Sequence, residues 1–130
     1  MPDRGKDIVL VEDDAGMRRA IQRMLEAAGC RVRAYESAEA LIGASDDMAR
    51  DCDCFVVDIR LPGISGINLC RNLRADTSCP PCILITGHDE TGLRECAASA
   101  GARGYLAKPF TGDTLLDAID RAMAGTSGVE

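Results

Sequence analysis

Acidic residues placed directly after short apolar runs are the first chemically suggestive feature of this sequence of 130 residues. Glu12-Asp13-Asp14 follows Ile8-Val9-Leu10-Val11, and Asp58 follows Cys54-Phe55-Val56-Val57. Thr86 closes the run Cys82-Ile83-Leu84-Ile85, and Lys108-Pro109 follows Gly104-Tyr105-Leu106-Ala107. Carboxylates gathered without imidazole or thiolate are hard oxygen ligands of the kind that suits Mg2+. Lys108 is one of only two lysines in the chain. With a hydroxyl beside it, it completes a set able to hold a phosphoryl group, whose transfer depends on positioning and charge neutralisation. A carboxylate in such a set can itself be the nucleophile and form an acyl phosphate. Taken singly the residues have plainer readings. Asp14 caps the next helix, Asp58 belongs to a loop beside Pro62 and Gly63, and Lys108 sits on a solvated turn. Their recurrence at the ends of four apolar runs favours the chemical reading.

The elements that must position them alternate in period. Met17, Ala20, Ile21, Met24, Leu25 and Ala28 form one helical stripe, closed by Gly29. Residues 32–35 read as a second strand, and Ser37 caps a helix carrying Ala38, Leu41 and Ile42. Ser65 caps a helix burying Ile67, Cys70 and Leu73, and a fourth helix is predicted from near Glu90 to Ala100, ended by Gly101. Thr111 caps a last helix with Leu115, Leu116, Ile119, Ala122 and Met123 on its inner side. Five strands alternating with five helices specify an α/β fold, a doubly wound parallel sheet covered on both faces. Its single domain is expected over 6–124, with 1–5 and 125–130 frayed. Ligands of such sheets bind outside the C-terminal strand ends, where the acids, Thr86 and Lys108 fall. Periodicity does not give the strand order.

Composition narrows the function. A net charge of −6, a pI near 4.8 and an aromatic share of 3% without Trp argue against a nucleic-acid surface and imply an aliphatic core. Met1 to Lys6 has no apolar stretch behind its charges and no apolar run is long enough to span a bilayer, so no signal peptide, no membrane partner and a cytoplasmic address are expected. Seven cysteines cannot all pair within the chain and read as small apolar residues. Cys52-x-Cys54 and Cys79-Pro80-Pro81-Cys82 hold open a competing zinc or redox module.

The four blocks ending in Glu12-Asp13-Asp14, Asp58-Ile59-Arg60-Leu61-Pro62-Gly63-Ile64-Ser65-Gly66, Thr86-Gly87-His88 and Lys108-Pro109-Phe110 resemble the receiver domain of bacterial two-component response regulators. The resemblance spans residues 6–124 and implies a flavodoxin-like (βα)5 sheet of order 2-1-3-4-5. It implies that Asp58 is the phosphoacceptor, served by a sensor histidine kinase or a histidine phosphotransfer protein. Asp13 and Asp58 would bind Mg2+ directly, with Glu12 acting through water and Arg60 through its backbone carbonyl. Lys108 and Thr86 would contact phosphoryl oxygens, Tyr105 would be the switch aromatic, and Lys108-Pro109 would be cis. Arg60 and His88, two residues beyond Asp58 and Thr86, would modulate the lifetime of the phosphate; a solvated Arg and a surface His are the structural alternatives. Catalysis would be limited to the domain's own phosphorylation and dephosphorylation, switching the surface of helix 4, strand 5 and helix 5. A homodimer or a covalently linked output domain would carry the signal onward. The stretch 101–104 lacks the acidic pair of winged-helix regulators and is similar to receivers of nitrogen-fixation regulators or hybrid kinases. A phosphorylation-independent scaffold is the alternative from another class.

Overall fold

The apolar runs form five strands, β1 (Asp7–Val11), β2 (Arg31–Tyr35), β3 (Cys54–Asp58), β4 (Cys82–Thr86) and β5 (Gly104–Ala107). Between and after them lie α1 (Ala15–Ala27), α2 (Ala38–Ala44), α3 (Gly66–Arg74), α4 (Leu93–Ser99) and α5 (Gly112–Met123). This computed structural model describes residues 5–44, 51–75 and 79–125. Of the ends expected to fray, only Gly5 and Gly125 fall among these; the rest lie outside the described residues. All strand pairings are parallel, in the order β2-β1-β3-β4-β5. That is the order the resemblance implied. The central strands β3 and β4 are buried at every position, as near-continuous apolar strands covered on both faces must be.

Side chains alternate across the sheet. Ile8, Leu10, Cys54, Val56, Ile83 and Ile85 pack with Ile21 and Leu25 of α1 and Leu115 and Ile119 of α5. Their neighbours Val9, Val11, Phe55, Val57, Cys82 and Leu84 meet Leu41 of α2, Leu69 and Cys70 of α3 and Ala97 of α4. The period of two therefore parts the cysteines: Cys54 faces one layer of helices, while Cys52 and Cys82 face the other. No described helix is long and apolar enough to cross a membrane.

The expected caps close the helices. Asp14, Ser37, Ser65 and Thr111 accept backbone N–H bonds from Met17, Ala40, Asn68 and Thr114 at 2.7, 3.0, 3.1 and 3.1 Å. Three expectations are corrected. Helix α4 begins at Leu93 rather than near Glu90, because Gly92 stands before it at φ 86° and leaves Glu90 in the preceding loop. Met123, expected on the inner side of α5, is 40% exposed, as Ile42 of α2 is at 51%. Each directly follows an inward residue, and one helical step of about 100° carries it off the buried face. In α3 it is Leu69 that is buried with Cys70, while Ile67 and Leu73 pack only partly.

The start of α3 fixes the approach to the site. A Cβ on Gly66 would stand 2.8 Å from the carbonyl carbon of Asp58 and 2.8 Å from Ile59 Cα, both rigid main chain. The close approach carries a bond from Gly66 N to the Ile59 carbonyl at 2.9 Å. Gly66→Ala is expected to lower stability by about 1–3 kcal/mol, as overpacking does. Gly43→Ala, in open space near the end of α2, should instead gain about 0.5–1 kcal/mol. Urea denaturation of the two variants checks both; equal midpoints would remove the steric account of Gly66.

Candidate functional site

Strand ends bring the acids together. Glu12 is the first residue beyond β1, anchored by its N–H to the Tyr35 carbonyl at 3.0 Å, and Asp58 is the last residue of β3. Glu12, Asp13 and Asp58 each offer a carboxylate oxygen, all within 4.8 Å of one another, with Glu12 and Asp58 buried and Asp13 exposed. Lys108 reaches in from the end of β5. Its Nζ lies 2.8 Å from Glu12 Oε1 and 3.5 Å from Asp58 Oδ2, after which comes the cis bond to Pro109. Its own N–H donates to the Thr86 carbonyl at 2.7 Å, so the β5 end is tied to the β4 end.

The charges do not balance. Burial, with the Asp58 charge adding to it and the Lys108 bond opposing it, pushes the Glu12 carboxyl up to about 7. Burial disfavours the Lys108 ammonium, but its bonds to Glu12 and Asp58 outweigh that and raise its pKa. The cluster holds one firm cation against three acids, one of which resists ionisation. An all-oxygen donor set, two members buried and one open to water, is the chemistry a hard divalent cation fits.

Smaller contacts set the carboxylates. Asp58 Oδ1 accepts from Arg60 N at 3.2 Å, and Glu12 Oε2 accepts from Asp14 N at 3.2 Å. Arg18 reaches back from α1 to the carbonyls of Glu12 at 2.9 Å and Asp13 at 3.4 Å. Glu39 of α2 accepts from Ile64 N at 2.9 Å and so braces the loop after β3.

Beside the acids, the loop between β4 and α4 carries a second group. Asp58 pairs with Ile85 in the ladder, which sets Thr86 one residue beyond it on the next strand. The buried Thr86 hydroxyl accepts from His88 N and donates to the His88 carbonyl, both at 3.1 Å. Tyr105 donates its hydroxyl to Asp89 Oδ1 at 2.6 Å, and the Arg94 guanidinium lies 4.5 Å from its ring centre. Burial first, then Asp89, pushes the Tyr105 phenol up to about 12. Arg60 Nη2 pairs with Glu90 Oε2 at 2.7 Å.

The structure thus gathers Glu12, Asp13, Asp58 and Lys108. It places Thr86 beside them with its hydroxyl turned to His88, and gives Tyr105 a partner in the same loop. Arg60 serves Asp58 through its main chain while its side chain faces Glu90. His88 is exposed, and it is its main chain that meets Thr86. Sequence reasoning missed Arg18, Glu39, Asp89, Glu90 and Arg94. Glu90 falls at the expected start of α4 and Asp89 just before it, so neither stands out as a site residue in the sequence. Arg18, one turn past the acids, was a visible signal that went unused.

The thiols form no competing centre. Among the described residues, the acid trio is the one set of three possible metal-ligating side chains brought together. None of the seven cysteines is joined in a disulfide. Burial pushes Cys52 up to about 12 and raises Cys54, and the neighbouring Cys70 thiol together with burial raises Cys82. A raised pKa favours the protonated thiol, the weaker nucleophile, at Cys52, Cys54 and Cys82.

Residues 8–120 match the family model described as the response regulator receiver domain. The chain is similar to the C4-dicarboxylate transport transcriptional regulatory protein DctD of Pseudomonas aeruginosa, 38% identical over 122 residues, covering 93% of this chain and 26% of that protein. It is 34% identical over 116 residues to the transcriptional regulatory protein FixJ of Bradyrhizobium diazoefficiens, covering 89% of this chain and 56% of that one. Among solved structures, that of FixJ-N matches with a TM-score of 0.80 and 33% identity, over 95% of this chain and 96% of that chain. A response regulator receiver domain protein from Clostridium thermocellum matches with a TM-score of 0.84 and 26% identity, over 92% and 95%. The chain therefore spans about a quarter of DctD and about half of FixJ.

A carboxyl with a higher pKa folded than unfolded binds its proton preferentially in the fold. Its favourable contribution is full below the ordinary 4.5 and is lost as pH rises through about 7. The melting temperature of Glu12→Gln minus that of the wild type, without divalent metal, should therefore grow from about pH 5 to about pH 8. A difference that stays flat across that interval contradicts the raised carboxyl.

Proposed function

The chain belongs to the response regulator receiver domain family, and on that premise we propose that Asp58 is its phosphoacceptor. The donor in this reading is the phosphohistidine of a sensor histidine kinase or a histidine phosphotransfer protein. The observation that carries it is Lys108 Nζ poised between Glu12 and Asp58 over an acid cluster made only of oxygen donors.

Attack by an Asp58 carboxylate oxygen forms the P–O bond as the P–N bond of the phosphohistidine breaks, the electron pair leaving with the imidazole nitrogen. The Arg60 N–H holds Oδ1 in place and Lys108 stands off Oδ2, so the carboxylate is oriented before the donor arrives. Asp13, Asp58, the Arg60 carbonyl and, through water, Glu12 would hold Mg2+, which when bound neutralises charge on the phosphoryl oxygens. The phosphoryl group adds about −1.5 to −2 charge at pH 7. Lys108 then has a stronger partner than Glu12, and the Thr86 hydroxyl can exchange its bond to the His88 carbonyl for one to a phosphoryl oxygen. Thr86 cannot move without disturbing His88, and Asp89 beside it holds Tyr105. The surface of α4, β5 and α5 changes as a consequence.

The domain is a signalling module whose chemistry is confined to gaining and losing its own phosphoryl group. It works in the cytoplasm, and an attached output domain or a homodimer of receivers carries the signal onward. Incubation with acetyl phosphate and Mg2+ should label the wild type and leave Asp58→Asn unlabelled. Lys108→Met should lower the labelling rate by about a hundredfold or more, the usual cost of removing a charge-stabilising donor. Equal labelling of wild type and Asp58→Asn refutes the proposal.

A further inference from the structure

The loop between β4 and α4 is held at three successive residues by three different parts of the fold. Thr86 of β4 holds the main chain of His88, Tyr105 of β5 holds the Asp89 carboxylate, and Arg60 beyond β3 holds the Glu90 carboxylate. The last of these has its other end at the site, because the Arg60 N–H is the donor to Asp58 Oδ1. We propose that Glu90 is a positioning residue for the phosphoacceptor: by holding the Arg60 guanidinium it fixes the Arg60 main chain against Asp58 and ties that main chain to the loop that carries Asp89. This rests on the reading of Asp58 as phosphoacceptor.

The local main chain makes such a tie effective. Ile59 is locked on both sides, its N–H donating to the Ile85 carbonyl at 2.8 Å and its carbonyl accepting from Gly66 N at 2.9 Å. The Arg60 N–H shares the planar peptide of that locked Ile59 carbonyl, and beyond its Cα the exposed Arg60 is held by the bond of its guanidinium to Glu90. The partner carboxylate lies 30 residues on in the chain, in a loop that belongs to the neighbouring strand. When Thr86 turns toward a phosphoryl group, its loop either releases Arg60 or draws the Arg60 main chain with it. In both cases the geometry at Asp58 and the position of the loop depend on each other. The pair is 53% and 62% exposed at its two side chains, so it is screened by salt and opens at small cost. Those are the properties of an adjustable tie. They also bound its effect to a few-fold.

The test uses Glu90→Gln, Arg60→Gln, the double variant and the exchanged pair Arg60→Glu with Glu90→Arg. Two quantities are read: the decay rate of the acetyl-phosphate-derived label, and the hydrogen exchange of the Arg60 amide in unlabelled protein. Each single variant should change the decay rate by about two- to fivefold and speed the amide exchange comparably. The double variant should go no further than either single, and the exchanged pair should recover most of the change. Salt at about 0.5 M should move the wild type toward the single variants and leave those variants unmoved. Additive singles, no recovery in the exchanged pair, or a Glu90→Gln protein matching the wild type in both measurements would overturn the proposal. A wild type that takes no label, together with faster Arg60 exchange in Glu90→Gln, upholds the tie and overturns only the reading of Asp58.

Discussion

Glu12 and Asp58 are buried carboxylates whose oxygens, with one from exposed Asp13, lie within 4.8 Å of one another. Like charges so close and so poorly hydrated repel, and the chain offsets only part of that with Lys108. The rest of the arrangement follows from that imbalance. Glu12 resists ionisation, Lys108 is held as a cation, and the site retains an appetite for positive charge that a divalent ion can meet. In the proposed reading, the same imbalance makes an arriving phosphoryl group consequential, since it would redirect Lys108, the firm cation of the cluster.

Holding acids in this way requires stiff supports. The carboxylates sit at the ends of strands buried on both faces, so the backbone beneath them cannot relax to separate them. Gly66 lets the start of α3 approach the Asp58 main chain, Arg18 satisfies the carbonyls of the acidic turn, and Glu39 braces the loop after β3. Against this rigid set stands the loop from β4 to α4. Its bonds run through side chains of Thr86, Tyr105 and Arg60 rather than through a ladder. Side-chain bonds of this kind exchange partners more readily than a sheet does, and this is where a response to phosphorylation can be expressed.

Much of this was legible in the residues themselves. The apolar runs, the four caps and the acids at strand ends were read correctly, because period and cap chemistry are local properties. The start of α4 was not, since Gly92 in a left-handed conformation ends the loop later than composition suggests. The cysteines illustrate the same divide. Cys52-x-Cys54 and the Cys79 to Cys82 pair look like a ligand set on paper. Residues facing opposite layers cannot converge, and once the sheet is formed Cys54 stands on the other side from Cys52 and Cys82.

Sequence alone determined the fold class, the acid set at Glu12, Asp13 and Asp58, and the candidacy of Thr86 and Lys108. Each of those rests on which residue follows a strand, and a strand's end is set by its own few neighbours. Only the tertiary structure decided that Lys108 lies within 2.8 Å of Glu12, that Tyr105 bonds Asp89, and that Arg60 bonds Glu90. These partners stand 96, 16 and 30 residues apart. Periodicity carries no information about the order of parallel strands, and it is that order which brings the partners into reach at one edge of the sheet.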